Sequence, residues 1–145
     1  MKVFLAGPFK ALVDPQEKRM SDHGMAMFVP LIDHFETLGW EVHSAHRREQ
    51  WGREFMTPDE CTRIDYDEIA RCDRFVAYPG FPASPGTHVE LGWASALQKD
   101  ITLLLKRGVE YAFLVRGLKT ITRVRTLVYD ETVEPKALEH LLAEA

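Results

Sequence analysis

The chain has 145 residues, 46% of them apolar and 28% charged, which is the make-up of one soluble globular domain with room for a core. Acidic residues (22) outnumber basic ones (18) and no basic block stands out, so a duplex nucleic-acid binder, which usually shows a basic face, is not expected. No apolar run approaches the ~20 residues that cross a membrane, and the stretch before Gly7-Pro8 is too short for a signal peptide.

Residues 2–6 are an apolar run stopped by Gly7-Pro8 and read as a first strand. Residues 7–18 read as a loop. From Ser21 to Leu38, Met27, Leu31, Phe35 and Leu38 share one helical stripe; Pro30 kinks or starts that helix, and Gly39 stops it. Residues 40–45 form a short second strand, and residues 46–54 are polar without a period, a loop. Thr57-Pro58-Asp59-Glu60 combines an N-cap, a first-position proline and a capping-box acid, so a helix runs from there to Cys72. Residues 74–78 are a third strand, and residues 87–98 a helix with Val89, Trp93 and Leu97 as its apolar stripe. A fourth strand (101–105), a short helix or turn (111–118), a fifth strand (125–129) and a terminal amphipathic helix (135–145) complete the chain. Strands alternating with helices imply a single α/β domain spanning residues 1–145, with a doubly wound, five-stranded parallel sheet. By analogy with such folds the strand order is 2-1-3-4-5, as in Rossmann- and flavodoxin-like sheets, with a ligand site at the carboxyl ends where the order reverses. Cys61 and Cys72 lie eleven residues apart on one helix, too far along it to bridge, and are expected as thiols of a cytoplasmic protein.

The richest stretch runs from Tyr78 to Ala94. Residues 79–86 hold three prolines and two glycines, a turn-rich loop between a strand and a helix. Such junctions hold anions, because free N–H groups and the helix dipole point out of them. With Thr87 as N-cap, Glu90 falls in the first turn, where the dipole favours the carboxylate. The same spacing also fits a plain capping box. Asp65 lies within an otherwise apolar stripe of Cys61, Ile64, Ile69 and Cys72. Either it faces the same pocket as Glu90, or it sits at the stripe's edge or pairs with an arginine such as Arg47 or Arg48. Two carboxylates on one pocket suit glycosidic chemistry, one as nucleophile and the other handling a proton or orienting the sugar. His46, Arg47 and Arg48 follow the second strand on the rim of this mouth, and Phe9 either stacks on a flat base or covers the core. Dinucleotide, P-loop and zinc motifs are absent, so no cofactor and no metal are expected.

The segments Phe4-Leu5-Ala6-Gly7-Pro8-Phe9 and Ser84-Pro85-Gly86-Thr87-His88-Val89-Glu90-Leu91-Gly92, with Asp65 between them, resemble the nucleoside 2-deoxyribosyltransferase superfamily. Within it, His46-Arg47-Arg48-Glu49, residues 83–93 and Tyr111-Ala112-Phe113-Leu114-Val115 are similar to the nucleotide N-glycosidases that cleave CMP or its hydroxymethyl form. The resemblance implies that Glu90 is the nucleophile and that Asp65 assists near sugar and base. It further implies that Ser84 and Gly86 hold the 5′-phosphate, and that Gly7, Phe9 and Lys10 line the base and sugar side. It also implies a homodimer or larger homo-oligomer in which a neighbour's segment near Tyr111 to Leu114 closes the phosphate end. Phe4 stands where deoxynucleotide hydrolases have a tyrosine, which leaves room for a ribose 2′-hydroxyl. Ala112 stands where those hydrolases have a phosphate-binding serine. Lys10 replaces an arginine of relatives that favour hydroxymethylcytosine and offers no planar fork. The reading is hydrolysis of CMP to cytosine and ribose 5-phosphate. Its rivals are base exchange between nucleosides, hydrolysis of a deoxynucleotide, and a nucleotide-binding module without catalysis. A cytokinin-type phosphoribohydrolase is disfavoured by the inserted Pro82-Ala83-Ser84-Pro85.

Overall fold

The computed structural model describes residues 1–144. Five strands, β1 (Lys2–Ala6), β2 (Glu41–His43), β3 (Arg74–Ala77), β4 (Asp100–Lys106) and β5 (Val124–Tyr129), form one parallel sheet in the order β2-β1-β3-β4-β5. This is the expected doubly wound arrangement. The order reverses at β1 and β3, so the crevice at a switch point opens between the loops that leave them.

Along β1 the side chains alternate, as a pleated strand requires. Val3 and Leu5 enter a core with Phe28, Leu31 and Phe35 of helix α1 (Asp22–Thr37) and Leu138 of the C-terminal helix (Pro135–Ala143). Phe4 and Ala6 enter the opposite core with residues of the helices before and after β3, Ile69 (Pro58–Arg71) and Leu91 and Ala94 (Pro85–Ala96). Burying each of these large side chains contributes on the order of 1.5–3 kcal/mol. Helix α1 starts at Ser21, whose hydroxyl accepts the Gly24 N–H at 3.1 Å, and it continues through Pro30.

Several local expectations need correction. Residues 7–18 are not a plain loop: Val13–Asp14 pairs antiparallel with Arg19–Met20 in a small hairpin. The polar stretch after β2 is helical at α2 (Ala45–Arg48), because the Ser44 hydroxyl accepts the Arg47 N–H and caps it. The helix from Pro58 to Arg71 is α3, and the one from Pro85 to Ala96 is α4. On α4 the buried residues are Thr87, Leu91, Ala94 and Ser95. The stripe of Val89, Trp93 and Leu97 therefore faces away from the sheet, with Val89 half exposed and Trp93 edge-on to Tyr66 of α3. A helix apolar on two sides defeats a one-stripe reading. The short helix α5 is Phe113–Arg116, and the C-terminal helix is α6. Both cysteines are thiols. Cys72 is buried, which pushes its thiol up to about 11, so it is chemically inert. No helix among the described residues is long and apolar enough to cross a membrane.

Candidate active site

A cavity of about 560 Å³ opens at the switch point, a size suited to a small-molecule ligand. Its floor is the end of β1, with Phe4, Ala6 and Gly7. Gly7 has to lack a side chain, because a Cβ there would sit 2.7 Å from the Phe28 ring. One wall is α3, which presents Cys61, Thr62 and Asp65; the facing wall is the loop and start of α4, with Ser84, Gly86, Thr87 and Glu90. Asp65 and Glu90, 25 positions apart in the chain, thus face one space.

The start of α4 lies earlier than Thr87. Ser84 is the N-cap, and its Oγ accepts the Thr87 N–H at 3.4 Å and the Thr87 hydroxyl at 2.9 Å. Pro85 takes the first helical position, where its missing N–H costs nothing. Gly86 comes next, with an N–H that has no carbonyl one turn below it inside the helix, and nothing lies where its side chain would be. An open, positive helix end therefore faces the cavity, as a phosphate site needs.

Glu90 consequently sits in the second turn and makes no capping hydrogen bond back to Thr87. The dipole does not hold it ionised. Burial and then the charge of Asp65 push its carboxyl up to about 8, opposed by Arg48. The site thus favours the protonated form of Glu90, the reverse of the sequence expectation.

Asp65 realises both of its readings. It lines the cavity, and its Oδ1 accepts a 2.7 Å hydrogen bond from Arg48 Nη1. These two side chains are only 16% and 15% exposed, so the pair is not the weakly stabilising kind found on open surfaces. Burial nevertheless outweighs Arg48 and raises the Asp65 carboxyl above its ordinary range. The same Nη1 donates to His43 Nε2 at 2.9 Å. Because that nitrogen accepts, His43 carries its proton on Nδ1, toward Glu68 at 3.6 Å. Burial holds His43 neutral, down at about 4.

The other predicted residues divide sharply. Phe9 and Lys10 line the cavity, and both meet Phe55: Phe9 is ring to ring at 5.2 Å, and the Lys10 ammonium lies 5.5 Å over the Phe55 face. Phe4 is buried, stacked between His43 and Phe75. His46 touches the cavity wall yet has no free nitrogen to offer a ligand. Its Nε2–H donates to the Gly7 and Pro8 carbonyls at 3.2 and 3.0 Å, and Nδ1 faces Ser44 Oγ at 3.4 Å. Arg47 is outside the site: it donates to the Val42 carbonyl and pairs with Glu36 of α1. One turn of helix at α2 explains the exchange, since consecutive residues point a quarter-turn apart and Arg48, not Arg47, faces α3.

Sequence reasoning missed Glu49, Phe55 and Met56. Glu49 is buried; Oε2 accepts from Arg48 at 3.1 Å and Oε1 from the Met56 N–H at 2.8 Å. It anchors a tight loop in which Gln50 and Trp51 both adopt left-handed backbone, a conformation that persists only where its surroundings hold it. The aromatic Phe55 inside a polar run was an available signal; nothing local marked Glu49. A smaller cavity of about 310 Å³ contains Tyr78, Tyr111 and Tyr129, and the acid on its wall, Glu131, is exposed. It lacks the paired carboxylates. No cluster of metal-ligating side chains occurs among the described residues.

No curated protein sequence matches the chain closely. Among solved structures, the CMP N-glycosidase BcmB of Clostridium botulinum is 38% identical, covers 97% of this chain and 98% of its own, and superposes with a TM-score of 0.68. The solution structure of BlsM is 50% identical over 97% of this chain and 86% of its own, with a TM-score of 0.78. A 2-deoxyribosyltransferase from Bacillus psychrosaccharolyticus, at 17% identity and a TM-score of 0.64 (96% and 90% covered), shares the fold. The family model for nucleoside 2-deoxyribosyltransferase matches residues 3–136, and the chain belongs to that family.

Proposed function

We propose that the protein is a nucleotide N-glycosidase that hydrolyses a pyrimidine ribonucleoside 5′-monophosphate, CMP foremost, to free base and ribose 5-phosphate. The observation that carries the reading is the meeting of Glu90 and Asp65 on one cavity closed by the open helix end at Ser84 and Gly86. The likeness to BcmB, a CMP N-glycosidase, supports the choice of base.

In this reading the phosphate rests at the α4 start, and the base lies toward Phe9, Lys10 and Phe55. A Glu90 oxygen attacks C1′ as the C1′–N bond breaks, and the bond pair leaves with the base. The proton that Glu90 gives up passes to Asp65 and from there to the departing base. Water then attacks C1′ and gives a proton to Asp65, and the C1′–O bond to Glu90 breaks. One water is consumed, and the carboxyl pair returns with its one proton. No cofactor or metal takes part.

The protein acts in the cytoplasm as a homodimer or larger assembly. Phe113 and Leu114 are 80% and 86% exposed, and these large apolar side chains suit a contact with a second copy.

Incubation with a panel of nucleoside monophosphates, followed by chromatography of free base, tests the reading. Cytosine from CMP is expected. No base from any nucleotide at high protein concentration rejects it, while base exchange that outcompetes water favours a transferase.

A further inference from the structure

Three acids, Asp65, Glu49 and Glu90, line one cavity, and a single guanidinium contacts two of them, Asp65 and Glu49. Arg48 does not line the cavity. It lies behind Asp65, with Nη1 on Asp65 and His43 and Nη2 on Glu49. Its Nε is buried and without a hydrogen-bond partner among the described residues. An arginine that leaves a buried donor unsatisfied to keep this posture bears the desolvation cost of that donor, which a merely decorative surface pair would not.

We infer that Arg48 is the positioning residue of the acidic pair: shared between Asp65 and Glu49, it keeps Asp65 ionised and leaves the pair's single proton on Glu90 until a nucleotide enters. The role rests on the glycosidase reading for its purpose, since the productive arrangement is the exchanged one, Glu90 ionised and Asp65 protonated. The cation makes Asp65 the weaker holder of the proton, so Asp65 passes it on to a departing base. Glu49 acts against this, because it draws on the same guanidinium and repels the Asp65 charge.

The groups that face the pair are few. From α2 comes Arg48, from the residue just after it Glu49, from β2 the neutral His43, and from α3 itself the thiol of Cys61. From the first loop comes Lys10 at the rim, and from α2 again His46, held neutral by burial. Arg48 is the cation in direct contact.

The test is a pH titration of the protonated-carboxyl infrared band in the ligand-free protein. Wild type shows the band at neutral pH, and Glu90→Gln removes it, because Arg48 keeps Asp65 ionised. Adding Arg48→Gln to Glu90→Gln restores the band on Asp65, with its midpoint raised by roughly 1–3 units, the usual influence of an adjacent arginine; Asp65→Asn then abolishes it. Arg48→Lys, which keeps the charge, leaves the band absent. Glu49→Gln on the Glu90→Gln background moves the Asp65 midpoint down, a sign that loosened packing does not give, and this arm stands if Arg48→Gln fails to fold. A neutral-pH band in Glu90→Gln itself, or a midpoint unmoved by both Arg48→Gln and Glu49→Gln, overturns the inference. The readout needs no turnover, so an inactive protein with the predicted titration refutes the glycosidase and leaves the role of Arg48 intact.

Discussion

Asp65 on α3 and Glu90 on α4 face the same cavity, and the charge of Asp65 is the second cause, after burial, of the proton that Glu90 retains. This has a consequence for stability. The Glu90 carboxyl rises from its ordinary value near 4.5 to about 8 on folding. Folding therefore takes up a proton between those values. The stabilisation is fully present below about 4.5 and is lost as pH climbs through 8. Urea unfolding from pH 5 to pH 9 should show stability falling across this window, by on the order of a few kcal/mol. Glu90→Gln should flatten that fall and be the more stable form at pH 9.

Turnover should follow the same pair. With one proton needed between the two carboxyls, kcat/KM for CMP should decline above about pH 8, where Glu90 loses its proton. A profile that keeps climbing past pH 9 would show that the proton is not required.

Under the proposed reading Ser84 has two duties that can be separated. As the cap of α4 it satisfies the Thr87 N–H and hydroxyl, so Ser84→Ala should cost about 1 kcal/mol in denaturant unfolding. As a phosphate ligand, it should also raise KM for the nucleotide well above any effect on the matching nucleoside. Steady-state kinetics with both substrates distinguishes the duties.

His46 holds the first loop in place. Its Nε2–H joins the carbonyls of Gly7 and Pro8, and its ring stacks on Phe28 at 4.0 Å between centroids. His46→Ala should destabilise by roughly 2–4 kcal/mol, from two orphaned carbonyls and a cavity. Measured by urea unfolding, this loss should exceed that of Arg47→Ala, whose partners lie outside the site.

The exposed pair on α5 tests assembly. Phe113→Asp with Leu114→Asp should shift the protein toward monomer in sedimentation velocity and lower activity, with the fold unchanged by circular dichroism. An unaltered sedimentation profile would place the contact elsewhere, and the outward stripe of Val89, Trp93 and Leu97 would be the next face to test.

The sheet was legible because the central strands β1, β3 and β4 are largely apolar runs, and because Gly7-Pro8 and the proline-rich loop mark the ends of β1 and β3. Glu90 and Asp65 were legible because an acid stands out among apolar neighbours. The protonation of Glu90 was not, since it depends on burial and on the charge of Asp65 on another helix, remote in sequence. The cap of α4 was misplaced because Thr87 and Ser84 are equally good caps on paper, and Pro85 at the first helical position settles the matter for Ser84. Arg47 and Arg48 could not be told apart without knowing that residues 45–48 are a turn of helix.

The central claim is that Glu90 attacks the sugar, and the direct measurement is cytosine release from CMP by wild type beside Glu90→Ala. Wild type should release the base, and the variant should lose at least about 10³-fold in rate while circular dichroism shows the same fold. A folded Glu90→Ala protein that still frees cytosine at a comparable rate would contradict the account.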